Sequence, residues 1–159
     1  MVELKTEHLF DFYMKFEKPI VIGDGPEGHR IVSVTREGEV TGPKLRGTVG
    51  LGTVDWPRLR SDGVLELDVH CTLKTHDDAY IYMKYVGLVV AKSPELMNDI
   101  IGYASGTRKE RVEHSAYRQR SAVFFETGDA RYSWLNGIIA VGTGGMEQAG
   151  VSYSIHAVV

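Results

Sequence analysis

Within residues 64–74, positions 65–74 alternate apolar and polar side chains without a break. Leu65, Leu67, Val69, Cys71 and Leu73 take one parity, and Glu66, Asp68, His70, Thr72 and Lys74 the other. Successive side chains of a strand point to opposite faces, so this run specifies a strand with one face in apolar surroundings. Further strands are expected over residues 8–16, 30–40, 45–54, 79–90, 117–127, 132–141 and 151–159, each rich in β-branched or aromatic residues. Turns are expected at residues 23–28, 41–43, 76–78, 128–129 and 142–145, where glycine, proline and aspartate cluster. Glycines at 47, 50 and 52 inside one of these runs suggest a bulge or a barrel corner.

One segment reads as a helix. Ser93-Pro94-Glu95 offers an N-cap, a proline in the first turn and an early acid. Leu96, Met97, Ile100, Ile101 and Tyr103 follow at helical spacing, and Gly102 or Gly106 ends it. Eight or nine strands with a single short α-helix make an all-β chain. Strands this long expose their edges unless the sheet closes, which favours an antiparallel β-barrel with the helix over one end. No linker, repeat or low-complexity tract divides the chain, so residues 1–159 are expected to form a single domain.

Charge and cysteine content exclude several functions. The net charge is −3 and Lys and Arg are scattered; the one dense patch, Arg108-Lys109-Glu110-Arg111, carries its own acid. No basic face for nucleic acid is expected. The single Cys71 cannot make an internal disulfide, and on the apolar parity it reads as a buried, inert thiol. The first residues resemble no signal peptide and no apolar run reaches membrane-span length, so the expectation is a cytoplasmic chain without membrane partners.

The candidate chemistry lies in four places. Asp68 and His70 share a parity; if that face lined the barrel they would form a carboxylate–imidazole pair for acid–base work, and otherwise it is a solvated face. Arg120 and Glu126 share a parity on residues 117–127 and could clamp a carboxylate or polarise a carbonyl, or else pair structurally. Asp55 beside Trp56 would have a raised pKa if desolvated, with the indole as a flat apolar wall; the alternative is a turn-capping acid next to a core Trp. Tyr132, Trp134 and Asn136 would share one face of a strand as a ligand wall or as packed interior. Tyr80, Tyr82 and Lys84 share another face and more simply point outward, although Tyr82 could help shape a pocket. Asp68, His70, His76 and His156 are scattered, with no metal-ligand spacing, so no metal is expected. With no phosphate cradle, nucleophile elbow or dinucleotide fingerprint, no organic cofactor is expected either.

Several strings occur together: Gly42-Pro43-Lys44-Leu45-Arg46-Gly47, Asp55-Trp56, the run from Arg60 through Asp68, Phe125-Glu126-Thr127-Gly128-Asp129 and Tyr132-Ser133-Trp134-Leu135-Asn136. In that order and spacing they resemble the bacterial and fungal family of domains of unknown function numbered 3237. The resemblance runs from about residue 8 to the end. It implies a β-barrel of the calycin or allene-oxide-cyclase kind with a pocket at one end, and it matches Asp68 and Arg120 to family positions. The chain departs from the family pattern at His70, at residues 76–79 and at Thr53-Val54.

The expected function is a small-molecule pocket. The first reading is a cofactor-independent isomerase, cyclase or lyase acting by proton transfer on a small aromatic or carbonyl compound. His70 or Asp55 would move the proton, Asp68 would orient His70, and Arg120 would steady an oxyanion. Trp56, Tyr82, Glu126, Tyr132, Trp134 and Asn136 would bind the substrate. The alternatives are a lipocalin-like binder of a small ligand, or a structural homo-oligomer that buries apolar strand faces between copies.

Overall fold

The structure, a computed structural model, describes residues 3–159. Among the described residues eleven strands follow one another: β1 (Thr6–Phe16), β2 (Ile20–Gly25), β3 (Gly28–Thr41), β4 (Gly47–Val49), β5 (Val54–Asp55), β6 (Arg58–Leu59), β7 (Leu65–Thr75), β8 (Tyr80–Val90), β9 (Arg118–Glu126), β10 (Ala140–Glu147) and β11 (Gly150–Val158). One helix, α1 (Pro94–Ala104), joins β8 to β9. The sheet is antiparallel and runs β1-β11-β10-β9-β8-β7-β4-β3-β2, and β1 pairs again with β3. That last pairing closes the sheet. β4, β5 and β6 each bridge β3 and β7, so they are three pieces of one broken stave in an eight-stave barrel. The glycines at 50 and 52 fall where this stave breaks, and Gly52 needs its positive φ of 82° for the turn.

The alternation of β7 sets what is inside. Leu65, Leu67, Val69, Cys71 and Leu73 point into the lumen, none more than 4% exposed. They meet Phe10, Phe12 and Met14 of β1, Ile81 and Met83 of β8, and Ile155 of β11 in one apolar cluster. An eight-stave barrel is just wide enough for its side chains to fill, and the full burial of each large one stabilises the fold by about 1.5–3 kcal/mol. Register across the wall is continuous: Asp55, Val69, Tyr85, Val123 and Ala140 sit side by side on β5, β7, β8, β9 and β10.

The helix forms as its punctuation implies. The Ser93 hydroxyl accepts from the Leu96 N–H at 3.2 Å, and Met97, Ile100 and Tyr103 are buried against one end of the barrel. The Tyr103 carbonyl accepts from Ala149 N–H in the β10–β11 turn, which ties the helix end to the sheet. No helix among the described residues is long and apolar enough to cross a membrane.

Two expected elements differ. Residues 132–141 are not one strand: a 3-10 helix spans Ala130–Gly137 and the strand begins at Ala140. The Asp129 side chain caps that helix on the Arg131 N–H, and Asn136 folds back to accept from Thr127 N–H at 2.8 Å and donate to its carbonyl at 3.0 Å. Residues 142–145 are not a turn but the middle of β10. A Cβ on Gly144 would collide with the Ser152 carbonyl and the Tyr153 ring, and one on Gly145 with the His114 ring. Close packing explains these glycines, and chain reversal occurs later, at Ala149 with φ 52°.

Candidate functional site

At the end of the barrel beneath α1 the lumen packing is incomplete and a titratable group faces the gap. A cavity of about 40 Å³ opens there between Phe16, Ile31, Leu65, Tyr85, Met146 and Ile101 of α1. Asp55, the last residue of β5, points into it and is 7% exposed. Its carboxylate accepts the Asp68 N–H at 3.3 Å. Burial pushes this carboxyl up to about 8; the nearby Asp68 charge adds to the rise, and the backbone N–H groups of Asp68 and Trp56 oppose it. Asp55 therefore carries a proton through much of the neutral range, in apolar surroundings that suit proton exchange with a bound molecule.

Further polar groups are buried in the lumen, and of these Tyr85 lines the cavity with Asp55. The buried rings of Tyr85 and Tyr153 meet edge-on with centroids 5.2 Å apart. The Ser121 hydroxyl donates to Tyr153 Oη at 3.3 Å. Burial raises the pKa of both phenols, so they remain hydrogen-bond donors. Gln119 is 1% exposed; its side-chain amide lies beside the Tyr153 phenol without a well-formed hydrogen bond. A buried polar group left unsatisfied costs free energy, so the neighbouring phenol is the natural partner of this amide. Gly87, Ser121 and Gly142 sit side by side across three strands. A Cβ on Gly87 would crowd the Ser121 hydroxyl, and one on Gly142 the Tyr153 ring.

Of the four residues assigned to proton transfer from sequence, only Asp55 is inside. Asp68, His70 and Arg120 belong to the opposite parity of β7 and β9 and lie on the outer wall, as do Tyr82 and Glu126. The expected lumenal set is therefore not assembled, because the apolar parity fills the lumen. On the outside, Tyr82 Oη and His70 Nδ1 share a hydrogen bond at 2.8 Å, and His70 Nε2 is 3.6 Å from Asp68 Oδ1. Trp56, one residue from Asp55, points outward; with Asp68, Arg120, Val86 and Leu88 it lines an open groove of about 900 Å³. Arg120 and Glu126 make no ion pair with each other, since they stand at opposite ends of β9.

The aromatic group at 132–136 is also dispersed. The Tyr132 hydroxyl donates to Asp77 at 2.8 Å, Asn136 serves Thr127, and Trp134 is exposed, so the three do not form one wall. Among the described residues no three His, Cys, Asp or Glu side chains converge as a metal-holding group. Tyr85, Gln119, Ser121 and Tyr153 were not singled out by sequence reasoning. The signal was present: each is a polar residue interrupting the apolar parity of its strand.

These features define a class: a closed, eight-stave antiparallel barrel with a desolvated acid at one capped mouth. The chain belongs to the family described as protein of unknown function DUF3237, whose pattern matches residues 4–158. It is 31% identical over 134 residues to a UPF0311 protein of Clostridium acetobutylicum, covering 84% of this chain and 80% of that one. It superposes on the crystal structure of a conserved protein of unknown function from Rhodopseudomonas palustris with TM-score 0.89, at 25% identity and full coverage of both chains. A β-barrel-like protein from Acinetobacter baumannii superposes with TM-score 0.82 at 25% identity, covering 100% of this chain and 98% of that one. A structure described as an enzyme from Penicillium herquei shares the fold at 20% identity and TM-score 0.70, with 100% and 97% coverage.

Proposed function

We propose that the cavity beneath α1 is the active site of a cofactor-independent enzyme that moves a proton on a small carbonyl compound, with Asp55 as the proton carrier. The observation that carries this reading is the burial of the Asp55 carboxyl in an apolar cavity, with its pKa raised to about 8. Both protonation states are then present near neutrality. The carboxylate takes a proton from the carbon beside the carbonyl, and the electron pair moves onto the carbonyl oxygen. The neutral phenol of Tyr85, which lines the cavity together with Asp55, is the donor for that oxygen. Return of the proton to a different carbon completes an isomerisation; expulsion of a leaving group or internal attack by the same enolate gives lyase or cyclase chemistry.

The cavity volume favours a carbonyl compound of few heavy atoms; an aromatic ring enters only if α1 or the connection at Pro19 shifts. Asp68, His70 and Arg120 are weaker candidates for this chemistry, because they face the outer wall with His70 and Asp68 about half exposed, although Asp68 Oδ1 itself is shielded from water. A non-catalytic small-ligand binder is favoured by one feature, the predominance of apolar side chains around the cavity.

The test is deuterium incorporation from heavy water into a panel of small ketones and enones, followed by NMR. Wild type is expected to exchange hydrogens next to the carbonyl, with Asp55→Asn slower by about a hundredfold or more. Binding of the same compounds without exchange would favour the carrier, and equal exchange in the variant would remove Asp55 from the role.

A further inference from the structure

The outer wall of β8, β9 and β10 is apolar where a solvated face is expected to be polar. Val86, Leu88, Phe124, Ile139 and Val141 form one patch with Ala122, each of the five large side chains 40–58% exposed. They are cross-strand neighbours: Val86 pairs with Ala122, Ala122 with Val141, and Leu88 with Arg120. Contiguous exposed apolar surface of this kind marks an interaction site.

The charges around the patch specify its occupant. Along the outer face of β9 the order is Arg118, Arg120, Ala122, Phe124, Glu126. Among the described residues Arg118, Arg120 and Glu126 make no ion pair. The strand is thus basic at one end, acidic at the other and apolar between, with Val123 at the midpoint of Arg120 and Glu126. A two-fold axis lying along the wall, perpendicular to β9 and passing over Val123, brings a second copy face to face with β9 reversed. Arg120 then faces Glu126 of the second copy, and Phe124 faces its Ala122.

The same axis runs along the register row Tyr85–Val123–Ala140. On β8 it sets Leu88 against Tyr82 of the second copy and Val86 against the stem of its Lys84. At the start of β10 it sets Val141 against Ile139, the residue just before the strand. About this one axis Phe124, Leu88 and Val141 meet apolar or aromatic positions and Arg120 meets Glu126. That is the self-complementarity an isologous dimer requires.

We infer that the protein is a two-fold symmetric homodimer whose interface is the outer wall of β8–β10, with reciprocal Arg120–Glu126 pairs at its two edges. The pairing also covers the Val86, Leu88 and Arg120 side of the groove that Trp56 lines. The experiment is sedimentation equilibrium on the wild-type chain, on Arg120→Glu, on Glu126→Arg and on the double exchange, with circular dichroism confirming the barrel in each. Wild type is expected to be a dimer. Each single exchange places like charges together twice per dimer and is expected to weaken association on the order of a hundredfold. The double exchange is expected to restore association to within roughly tenfold of wild type. A monomeric wild type, a ring of higher order, single variants that stay dimeric, or a double exchange that stays dissociated would each overturn the inference.

Discussion

Replacing Asp55 by Asn separates a desolvated acid from an ordinary one through stability alone. The side chains match in shape, and Asn keeps a carbonyl oxygen for the Asp68 N–H that Asp55 now accepts. The carboxyl titrates near 3.8 in the unfolded chain and about 8 in the fold. Between these values the folded state holds a proton that the unfolded state has released. Unfolding free energy must therefore fall as pH rises through that window, by up to about 1.4 kcal/mol per pH unit. From about pH 5 to pH 7 the loss is about 3 kcal/mol in wild type, and this contribution is absent in Asp55→Asn. All other groups are common to both proteins and cancel in the difference. Urea denaturation at several pH values, with unchanged m, measures it. The variant should gain on wild type steadily with pH and be the more stable at pH 7. Parallel stability profiles would refute the claim that burial governs this carboxyl.

Asp129 provides the opposite sign. Its pairing with Arg131 holds it at about 2, so its stabilisation is present above the unfolded value and lost as pH falls from about 4 towards 2; Asp129→Asn should flatten that acid arm in a denaturation series. Gly47→Ala and Gly52→Ala should differ in cause and size. A Cβ at Gly47 meets the Lys74 backbone and must separate β4 from β7, at a cost of about 2 kcal/mol or more by chemical denaturation, whereas Gly52 has open space and only its positive φ to lose, about 1 kcal/mol. Cys71, 1% exposed, with burial raising its thiol pKa, should react with a thiol reagent only at the rate of barrel opening.

The barrel was legible because its pattern is physical. Strict alternation over residues 65–73, a capped helix at Ser93 and long β-rich runs leave closure as the economical way to remove edges. What misled was the assumption that polar residues of a strand look inward to a ligand. Asp68, His70, Arg120 and Glu126 formed an attractive set by parity, but the complementary parity is the one a barrel this narrow needs for its core. The useful exceptions were single polar residues on the apolar parity, Tyr85, Gln119, Ser121 and Tyr153, and the acid Asp55 beside its outward Trp56. Residues 132–137 were misread because their aromatic spacing imitates a strand, while the Asp129 and Asn136 side chains redirect the backbone. The glycines of β10 looked like a turn because clearance for the Tyr153 and His114 rings is a tertiary requirement with no local signature.

The most direct test is the titration of Asp55 itself, followed through its side-chain carboxyl carbon by NMR in labelled protein, with Asp55→Asn to assign the resonance. A midpoint near 8 that moves when a small ketone occupies the cavity is the predicted result. A midpoint near 4, unchanged by any such compound, would contradict a desolvated proton carrier at the mouth of the barrel.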